Sequence, residues 1–360
     1  MRLTVSLLTH ESEPTVSRCL ETVVAQKGLG ALLHANEEGA PSGGATKGAS
    51  AGSTPSWQVI CLDNASNNRI ELVRLEKRFP QVRFLREEKN CGFACSHNRI
   101  MRAFPADFHA VLNPDLLLTS DFLAKLLGAL EHNPRYGSAV GKLLWWNIGG
   151  APERTNIIDS VGIGVSKSHA FCDIGQGKED HGQYDVPEER FGGSGAAVVY
   201  RRSALEDSAY YGHAEERDVS QHAGLEFFDE TMFLYKEDVD LAYRLLVTGH
   251  SCLSVPDALA WHARSLGKRR NRSRRPLQKR IFSAAHESLL LRKHALWWPR
   301  RIRLLTSLRQ CERWLYLLIC EPRVFFGARR LLQKLKIEAE KRRAATKHTI
   351  PFERIARLLH

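Results

Sequence analysis

The first part of the chain alternates between short apolar runs and amphipathic stretches, and this alternation constrains the fold more than any other feature. The runs "LTVSLL", "WQVICLD", "VRFLRE" and "FHAVL" have the residue types of buried strands. Each is followed by a stretch with apolar residues at helical spacing. Strands that alternate with helices form a mostly parallel sheet with helices on both faces. The sequence therefore predicts an α/β fold.

Polar side chains follow three of these predicted strands. In an open α/β sheet, ligands bind outside the carboxyl ends of the strands. We therefore expect these side chains to lie along one ligand-binding rim. In chain order they are Thr9, His10, Asp63, Asn64, Asn113 and Asp115.

Two stretches depart from the alternating pattern. Residues 27–56 are rich in Gly, Ser and Ala, which predicts a flexible insertion rather than a packed element. After residue 265 the composition changes to a basic linker followed by amphipathic helical stretches. We therefore predict an α/β domain over 1–265 and a basic helical C-terminal region over 266–360.

Positive charge is concentrated near the C-terminus. Residues 268–360 contain 26 Lys/Arg and 6 Asp/Glu, a net charge of +20, which leaves −8 of the overall +12 for residues 1–267. A strongly basic region on a mildly acidic body favours a polyanionic partner, either a nucleic acid or an anionic membrane surface.

Aromatic residues among these charges favour the membrane surface, because an interfacial helix combines basic and aromatic side chains. They are Trp297, Trp298, Trp314, Tyr316 and Phe325. A helical cap with a solvated basic face is the plainer alternative. Nucleic-acid binding is a third alternative, although no recognised nucleic-acid-binding module is present.

The sequence also contains features that bear on cellular location. No apolar run approaches the ~20 residues that span a bilayer, and "MRLTVSLLTH" becomes polar too early for a signal peptide. The eight cysteines have no zinc-site spacing, which is typical of reduced thiols in a cytosolic protein. We expect a cytoplasmic protein, with residues 268–360 as a means of peripheral attachment to the inner face of the plasma membrane.

Three short motifs suit a nucleotide diphosphate, and each has a structural alternative. Asp63 in "CLDNASNN" can hydrogen-bond a ribose or a base edge, or close an Asx turn. Gly92 in "KNCGFACSHN" allows a phosphate to approach the backbone closely at a helix N-terminus, or simply makes a tight turn. Asp115 in "VLNPDLLL" suits Mg²⁺ or Mn²⁺ on a diphosphate, or is a turn residue.

The segment "LYKEDVDLAYRL" contains three acids in an apolar frame. A helix that begins here places Glu237 and Asp238 at its positive end. Asp240 and Arg244 are i,i+4 partners and predict a structural ion pair. One carboxylate is left over at the rim, where a general base would lie. His262 in "WHARS" ends a later predicted strand and is either structural or part of the site.

The order of these motifs resembles glycosyltransferase family 2, and in particular its rhamnosyltransferase-like members. The motifs are "DNAS", "NCGFACSHN", "NPD", "GGSGA", "FLYKEDVDLAYRL" and "WHARS", and the resemblance covers roughly residues 1–265. It implies the GT-A fold of nucleotide-diphospho-sugar transferases, with a mostly parallel central sheet and helices on both faces. The basic α-helical C-terminal region lies beyond it.

The resemblance also implies roles for individual residues. Nucleotide-sugar contacts fall on Thr9, His10, Asp63, Asn90, Gly92, Phe93, Asn98, Asn113 and Asp115. The cleft for donor sugar and acceptor is shaped by Gly193, Ser194 and Gly195. The D-x-D motif of the family appears here as Asn113-Pro114-Asp115. It implies a divalent cation, Mg²⁺ or Mn²⁺, held by Asp115 with His262.

The implied reaction is an inverting, single-step sugar transfer in cell-surface polysaccharide synthesis. Asp238 matches the catalytic base, with Glu237 beside it. The expected donor is dTDP-rhamnose or a UDP-hexose, and the expected acceptor is a hydroxyl of a glycan or of a polyprenyl-diphosphate-linked sugar. Two other classes stay open: an inactive relative that serves as a scaffold, and a nucleic-acid-binding protein that uses the basic region.

Overall fold

The computed structural model describes residues 1–34, 56–211, 224–263, 276–294 and 298–359. Strands and helices alternate in the first part, as predicted. Its elements are β1 (Leu3–Thr9), α1 (Glu13–Val24), α2 (Leu29–His34), β2 (Trp57–Asp63), α3 (Arg69–Arg78), β3 (Val82–Arg86), α4 (Gly92–Ala103), β4 (Phe108–Leu112), β5 (Leu116–Leu118) and α5 (Phe122–His132).

The next part is richer in strands, and the last part is helical. The middle elements are β6 (Tyr136–Trp146), β7 (Arg154–Ser160), β8 (Ile163–Val165), β9 (Phe171–Asp173), β10 (Glu188–Arg190), β11 (Ala197–Arg201), α6 (Arg202–Asp207), β12 (Tyr210–Tyr211), β13 (Leu225–Glu226), α7 (Glu237–Val247) and β14 (Ser251–His262). The C-terminal elements are α8 (Leu277–His294), α9 (Arg300–Cys320), α10 (Pro322–Ala345) and α11 (Phe352–Ala356).

One ten-stranded sheet lies at the centre of the molecule. Its main order is β10-β14-β6-β11-β4-β1-β2-β3, and β5 and β7 pair with β14 and β6 off this path. β1, β2, β3 and β4 pair in parallel, and so do β6 and β14, whereas β11 runs antiparallel between β4 and β6. The mixed, mostly parallel sheet confirms the predicted class.

The parallel strands bury both of their faces, which explains their nearly continuous apolar sequences. β4 is buried at every position and β1 at all but one. The helix α5 packs one apolar side against the sheet through Phe122, Leu126 and Leu130, none of which is exposed. The register places Thr9 beside Asp63. The polar ends of β1 and β2 therefore meet at one edge, as the rim hypothesis requires.

Two sequence-based expectations need correction. Residues 29–34, inside the predicted flexible insertion, form α2, whose Leu29 and Leu33 are buried in the main core. The rest of that insertion, 35–55, lies outside the described residues. The stretch after β6 is rich in glycine and its sequence predicts irregular structure, but it contains β7, β8, β9 and β10. Their shortness and the many glycines between them hid the strand pattern.

The C-terminal helices pack directly on α7. A second core joins Tyr243 of α7 to Leu290 of α8, Leu317 of α9 and Leu332 of α10. The predicted α-helical character of this region is confirmed, whereas the basic linker at 264–275 lies outside the described residues. No helix among the described residues is long and apolar enough to cross a bilayer.

Of the aromatic residues that we expected to face lipid, one is buried in the helical region and two are half-buried. Trp298 is 3% exposed and stacks on a histidine ring, with centroids 3.4 Å apart. Trp314 and Phe325 are half-buried and meet edge to face, with centroids 5.4 Å apart. Tyr316 is exposed, and Trp297 lies outside the described residues. The aromatic part of the membrane hypothesis is therefore wrong for Trp298, because an apolar core inside the helical region takes up that side chain.

Candidate active site

The ends of β1 and β2 form one side of the rim. The backbone N–H of Asn64 donates to the carbonyl oxygen of Thr9 at 2.8 Å. Both carboxylate oxygens of Asp63 accept from the backbone N–H of Ser66 at 3.2 Å. The Asx-type turn that we gave as the structural alternative is thus present, and the same carboxylate closes the strand. His10 lies exposed just beyond Thr9.

An amide network joins this edge to the start of α4. The Asn64 side chain donates to Asn90 Oδ1 at 2.9 Å and accepts from the backbone N–H of Cys91 at 3.0 Å. Asn90 Oδ1 also accepts from the backbone N–H of Gly92 at 2.9 Å. Gly92 has a φ of +86°, and a Cβ there would lie 2.4 Å from the carbonyl oxygen of Phe233. Glycine is therefore required, and the close neighbour is the chain's own backbone.

Phe93 and Asn98 have different placements on α4. The Phe93 N–H donates to the Phe233 carbonyl at 3.0 Å, and the Phe93 ring packs toward Gly195. Asn98 is fully buried, and its amide bonds both the N–H and the C=O of Phe228, at 2.9 and 2.8 Å. The position predicted to contact nucleotide is thus a structural clamp, because this side chain points away from the rim into the core.

A histidine between two carboxylates lies at the ends of β14, β7 and the turn after β4. His262 Nε2 is 3.2 Å from Asp115 Oδ1, and His262 Nδ1 is 2.8 Å from Asp159 Oδ2. The Asn113 amide lies 3.3 Å from the same Nε2. Burial alone would lower the pKa of His262, but the two carboxylates outweigh it and raise the pKa to about 10. Sequence reasoning missed Asp159, which only the pairing of β7 with β6 brings here.

Asp115 and His262 fit a divalent cation as a partial site. A cation can replace the Nε2 proton between the same two groups. Their 3.2 Å separation is close to the ~3.0 Å expected for two adjacent ligands at ~2.1 Å around an octahedral ion. Asp159 on the far nitrogen is the carboxylate that orients a metal-ligating histidine. No group of three or more His, Cys, Asp or Glu side chains in the described ranges forms a metal site, so Asp115 and His262 are a two-residue partial site.

The turn before β11 connects this pair to α7. The backbone N–H of Asn113 donates to the carbonyl oxygen of Ala196 at 2.8 Å, and the N–H of Gly195 donates to Asp238 Oδ2 at 3.1 Å. Ser194 is half-buried beside them. A Cβ at Gly193 would lie 2.7 Å from valine methyl groups, so packing requires that glycine. Of the predicted cleft residues, Gly193 is therefore required for packing, and Gly195 holds the Asp238 carboxylate.

The N-terminus of α7 holds two acids that we call the carboxyl pair, Glu237 and Asp238. Glu237 is 6% exposed, and its Oε2 has no hydrogen-bond partner in the part of the chain that the structure describes. Burial, and then the neighbouring Asp238 charge, raises the pKa of Glu237 well above its usual range. Burial also raises the pKa of Asp238, opposed by the Gly195 N–H and the Lys236 charge. The raised pKa therefore favours the protonated form of Glu237, and Asp238 is a carboxyl group suited to accept a proton.

A strained turn presents this pair. Tyr235 and Lys236 have φ values of +71° and +75°, which non-glycine residues rarely adopt. His286 of α8 holds the turn, because its Nδ1 lies 2.9 Å from the Leu234 carbonyl and 3.0 Å from the Tyr235 carbonyl. No sequence pattern indicates this contact, since His286 and the turn are about 50 residues apart. The basic helical region therefore supports the candidate site directly.

Further along α7, Asp240 and Arg244 belong to an ion-pair cluster. We define this cluster as Asp229, Asp240, Arg244, Lys293 and Arg342. The predicted pair of Asp240 and Arg244 is present at 2.9 Å. Lys293 Nζ of α8 lies 2.5 Å from both Asp229 and Asp240. Burial would raise the pKa of Asp240, but the charges of Lys293 and Arg244 hold it well below its usual range. The same balance, led by Lys293, lowers the pKa of Asp229.

Comparisons with known proteins agree with this geometry. The sequence model of "Glycosyl transferase family 2" matches residues 4–208. Two curated relatives are named N-acetylglucosaminyl-diphospho-decaprenol L-rhamnosyltransferase, from Mycobacterium tuberculosis strains CDC 1551 / Oshkosh and ATCC 25618 / H37Rv. Each is 28% identical over 266 residues, which cover 68% of this chain and 78% of the relative. The predicted family resemblance is confirmed.

A solved structure shares the fold. GalNAc-T7 with UDP, GalNAc and Mn²⁺ superposes with a TM-score of 0.59 at 12% identity, over 99% of this chain and 57% of that one. A mannosyltransferase from Pyrobaculum calidifontis, in complex with GDP-Man and Mn²⁺, has a TM-score of 0.47 at 15% identity, over 94% of this chain and 77% of that one. The predicted GT-A fold is confirmed.

Proposed function

Because the chain belongs to glycosyl transferase family 2, we propose that it moves a sugar from a nucleotide-diphosphate donor to an acceptor hydroxyl, with inversion at the sugar carbon. The observation that carries this proposal is the carboxyl pair at the start of α7. Asp238 is bound to the turn at Gly195, next to the ends of β4 and β14. It lies where a base can reach an acceptor held in front of a donor at the rim.

In the proposed mechanism, Asp238 removes the proton from the acceptor hydroxyl. The resulting oxygen attacks C1 of the donor sugar from the side opposite the nucleotide, and the C1–O bond to the nucleoside diphosphate breaks. The low-dielectric setting of Asp238 favours proton uptake, because burial raises its pKa. The N–H of Gly195 keeps one carboxylate oxygen oriented. The raised pKa of Glu237 favours its protonated form, which lessens the repulsion between the two carboxyl groups.

Asp115 and His262 would hold a divalent cation, Mg²⁺ or Mn²⁺. When bound, such an ion stabilises the negative charge that develops on the leaving diphosphate. Asp159 fixes the imidazole orientation by its contact with Nδ1. Thr9, Asp63, Asn90 and their neighbours at the ends of β1 and β2 are the proposed nucleotide side of the cleft.

The curated relatives support a finer proposal for both substrates. Their names describe rhamnosyl transfer to N-acetylglucosaminyl-diphospho-decaprenol. We propose dTDP-rhamnose as the donor, with a UDP-hexose as the alternative that the screen below distinguishes. We propose a polyprenyl-diphosphate-linked sugar as the acceptor, in cell-surface polysaccharide synthesis. A few hydroxyl contacts in the cleft decide donor choice, so this level rests on the relatives.

The scaffold alternative has a physical argument against it. Burying a carboxyl group without a cation or a full set of donors destabilises a protein. The Glu237 Oε2 atom has no partner among the described residues, and the turn before it is strained. An inactive scaffold gains nothing from either feature, whereas an active site commonly contains both.

The test is a donor screen that measures nucleoside-diphosphate release from the full chain. dTDP-rhamnose, UDP-hexoses and GDP-hexoses are each incubated with a polyprenyl-diphosphate-linked sugar, with and without Mn²⁺ or Mg²⁺. We expect acceptor-dependent release from one donor, dependence on the cation, and loss of both in Asp115→Ala. Asp257→Ala, at an exposed carboxylate on β14, is the matched control and should behave as the wild type. No release from any donor would contradict the proposal.

A further inference from the structure

The helix α9 exposes large apolar side chains on the side where an ordinary surface helix exposes polar ones. Four large apolar side chains on its outer side are strongly exposed: Leu304 at 61%, Leu308 at 60%, Leu315 at 57% and Ile319 at 69%. With the exposed Cys311 they recur every three or four residues, which places them in one stripe. The stripe runs from Leu304 to Ile319 and is therefore about 22 Å long.

Two arginines in the middle of the same helix point inward. Arg309 donates to the carbonyl oxygen of His169 at 2.9 Å and to Glu287 of α8 at 2.8 Å. Arg313 donates to the carbonyl oxygen of Ala284 at 3.2 Å and lies 3.4 Å from Glu287. A helix that turns two of its arginines toward the protein and its leucines outward has an apolar side matched to something other than water.

We propose that the outer stripe of α9 docks on an anionic lipid bilayer, with the helix lying in the plane of the interface. Exposed Arg300 and Arg301 stand at the N-terminal end of α9, where the helix dipole disfavours cations. Anionic headgroups offset this cost, and each basic residue near such a surface adds to the attraction. Exposed Arg329 and Arg330 on α10 extend the basic charge.

Charge also decides between a bilayer and a second copy of this chain. Residues 268–360 have a net charge of +20 from 26 Lys/Arg and 6 Asp/Glu. Two copies that met through this region would bring like charges together, whereas an anionic surface neutralises them. The stripe therefore fits a lipid surface better than itself.

The docking helix is connected to the candidate active site through one helix. The Trp314 indole N–H of α9 donates to Ser288 Oγ of α8 at 3.2 Å. Two residues earlier on α8, His286 holds the turn in front of Asp238. This inference deepens the proposed function, on which it rests in taking the acceptor to be lipid-linked: the docked face would bring the cleft near the membrane that contains the acceptor.

The test is co-sedimentation of the full chain with vesicles, in the absence of any sugar donor. The probes are vesicles of equal parts phosphatidylglycerol and phosphatidylcholine, and vesicles of phosphatidylcholine alone. We expect binding to the anionic vesicles that weakens as salt is raised. Ile319→Gln should bind about tenfold more weakly, because one apolar side chain no longer leaves water. Adding Leu308→Gln and Leu315→Gln should reduce binding to the background level.

Ile70→Gln on α3 is the matched control, because Ile70 and Ile319 are both 69% exposed. It should bind as the wild type. Wild-type binding by the triple variant, or no binding by the wild type, would overturn the proposal. A wild-type dimer that the triple variant dissolves, without vesicle binding, would assign the stripe to a second copy instead. Vesicle binding with no transfer in the donor screen would refute the proposed function and leave the docking intact.

Discussion

The carboxyl pair and Asp240 of the ion-pair cluster lie on the same helix, and the fold surrounds them in opposite ways. Asp240 has Arg244 at 2.9 Å and Lys293 at 2.5 Å, and its pKa is held well below the usual range. Glu237 and Asp238 lie less than one turn away, make no ion pair with any described residue, and have raised pKa values. Acids that receive cations stabilise a structure, and acids that do not are available for chemistry.

The cations of the ion-pair cluster come largely from the C-terminal helices. Lys293 belongs to α8 and Arg342 to α10, and Arg342 also lies 2.7 Å from Glu226. Part of the positive charge that suggested a polyanionic partner is therefore used inside the protein. The same helices support the turn that presents the carboxyl pair. The basic region thus has two inward roles in addition to the proposed outer one.

The largest expected effect comes from breaking the cluster. Lys293→Met removes the cation shared by Asp229 and Asp240 and leaves Arg244 and Arg342 to compensate two buried carboxylates. We expect the free energy of unfolding, measured in urea, to fall by about 3–5 kcal/mol. Lys341→Met is the matched control, because that side chain is 65% exposed, and it should change the value by less than about 0.5 kcal/mol. Equal stability of the two variants would remove the structural half of the comparison.

A smaller effect is expected from loosening the turn that presents the carboxyl pair. His286→Ala removes the donor to the carbonyls of residues 234 and 235, so the base is less well oriented. We expect kcat to fall about tenfold with little change in KM for the donor. His286→Asn, whose amide can replace Nδ1, should restore most of the rate. His181→Ala, at an exposed histidine, should have no effect, and a rate for His286→Ala equal to it would refute the positioning role.

The smallest effect concerns Glu237. Its folded-state pKa is raised above the unfolded value, so wild-type stability falls as pH rises from about 4.3, the unfolded value, through the folded one. Glu237→Gln removes this loss, and we expect a gain of about 1 kcal/mol at neutral pH that disappears below about pH 4. Asp229 and Asp240 have the opposite sign, since their lowered pKa values give stability that is lost as pH falls. A pH-independent effect of Glu237→Gln in urea unfolding would contradict the raised pKa of Glu237.

Several parts of this account were predictable from the sequence. The β1 and β2 ends, the start of α7 and the pair of Asp240 with Arg244 follow from periodicity and local spacing. Asp159, His286 and Lys293 did not, because each reaches its partner across more than 50 residues through sheet pairing or helix docking. Asn98 and Trp298 were misplaced for a related reason. A motif gives the residue type but not the direction of the side chain, and both side chains point into the core.

The most direct test of the central claim compares Asp238→Asn with Asp240→Asn. With the donor that the screen identifies, Asp238→Asn should lose about 10²–10⁴-fold in transfer rate, since it removes the base. It should keep donor affinity and the wild-type free energy of unfolding, because no cation depends on Asp238. Asp240→Asn should instead unfold more easily. Unchanged turnover in Asp238→Asn, or a loss of stability equal to that of Asp240→Asn, would contradict the account.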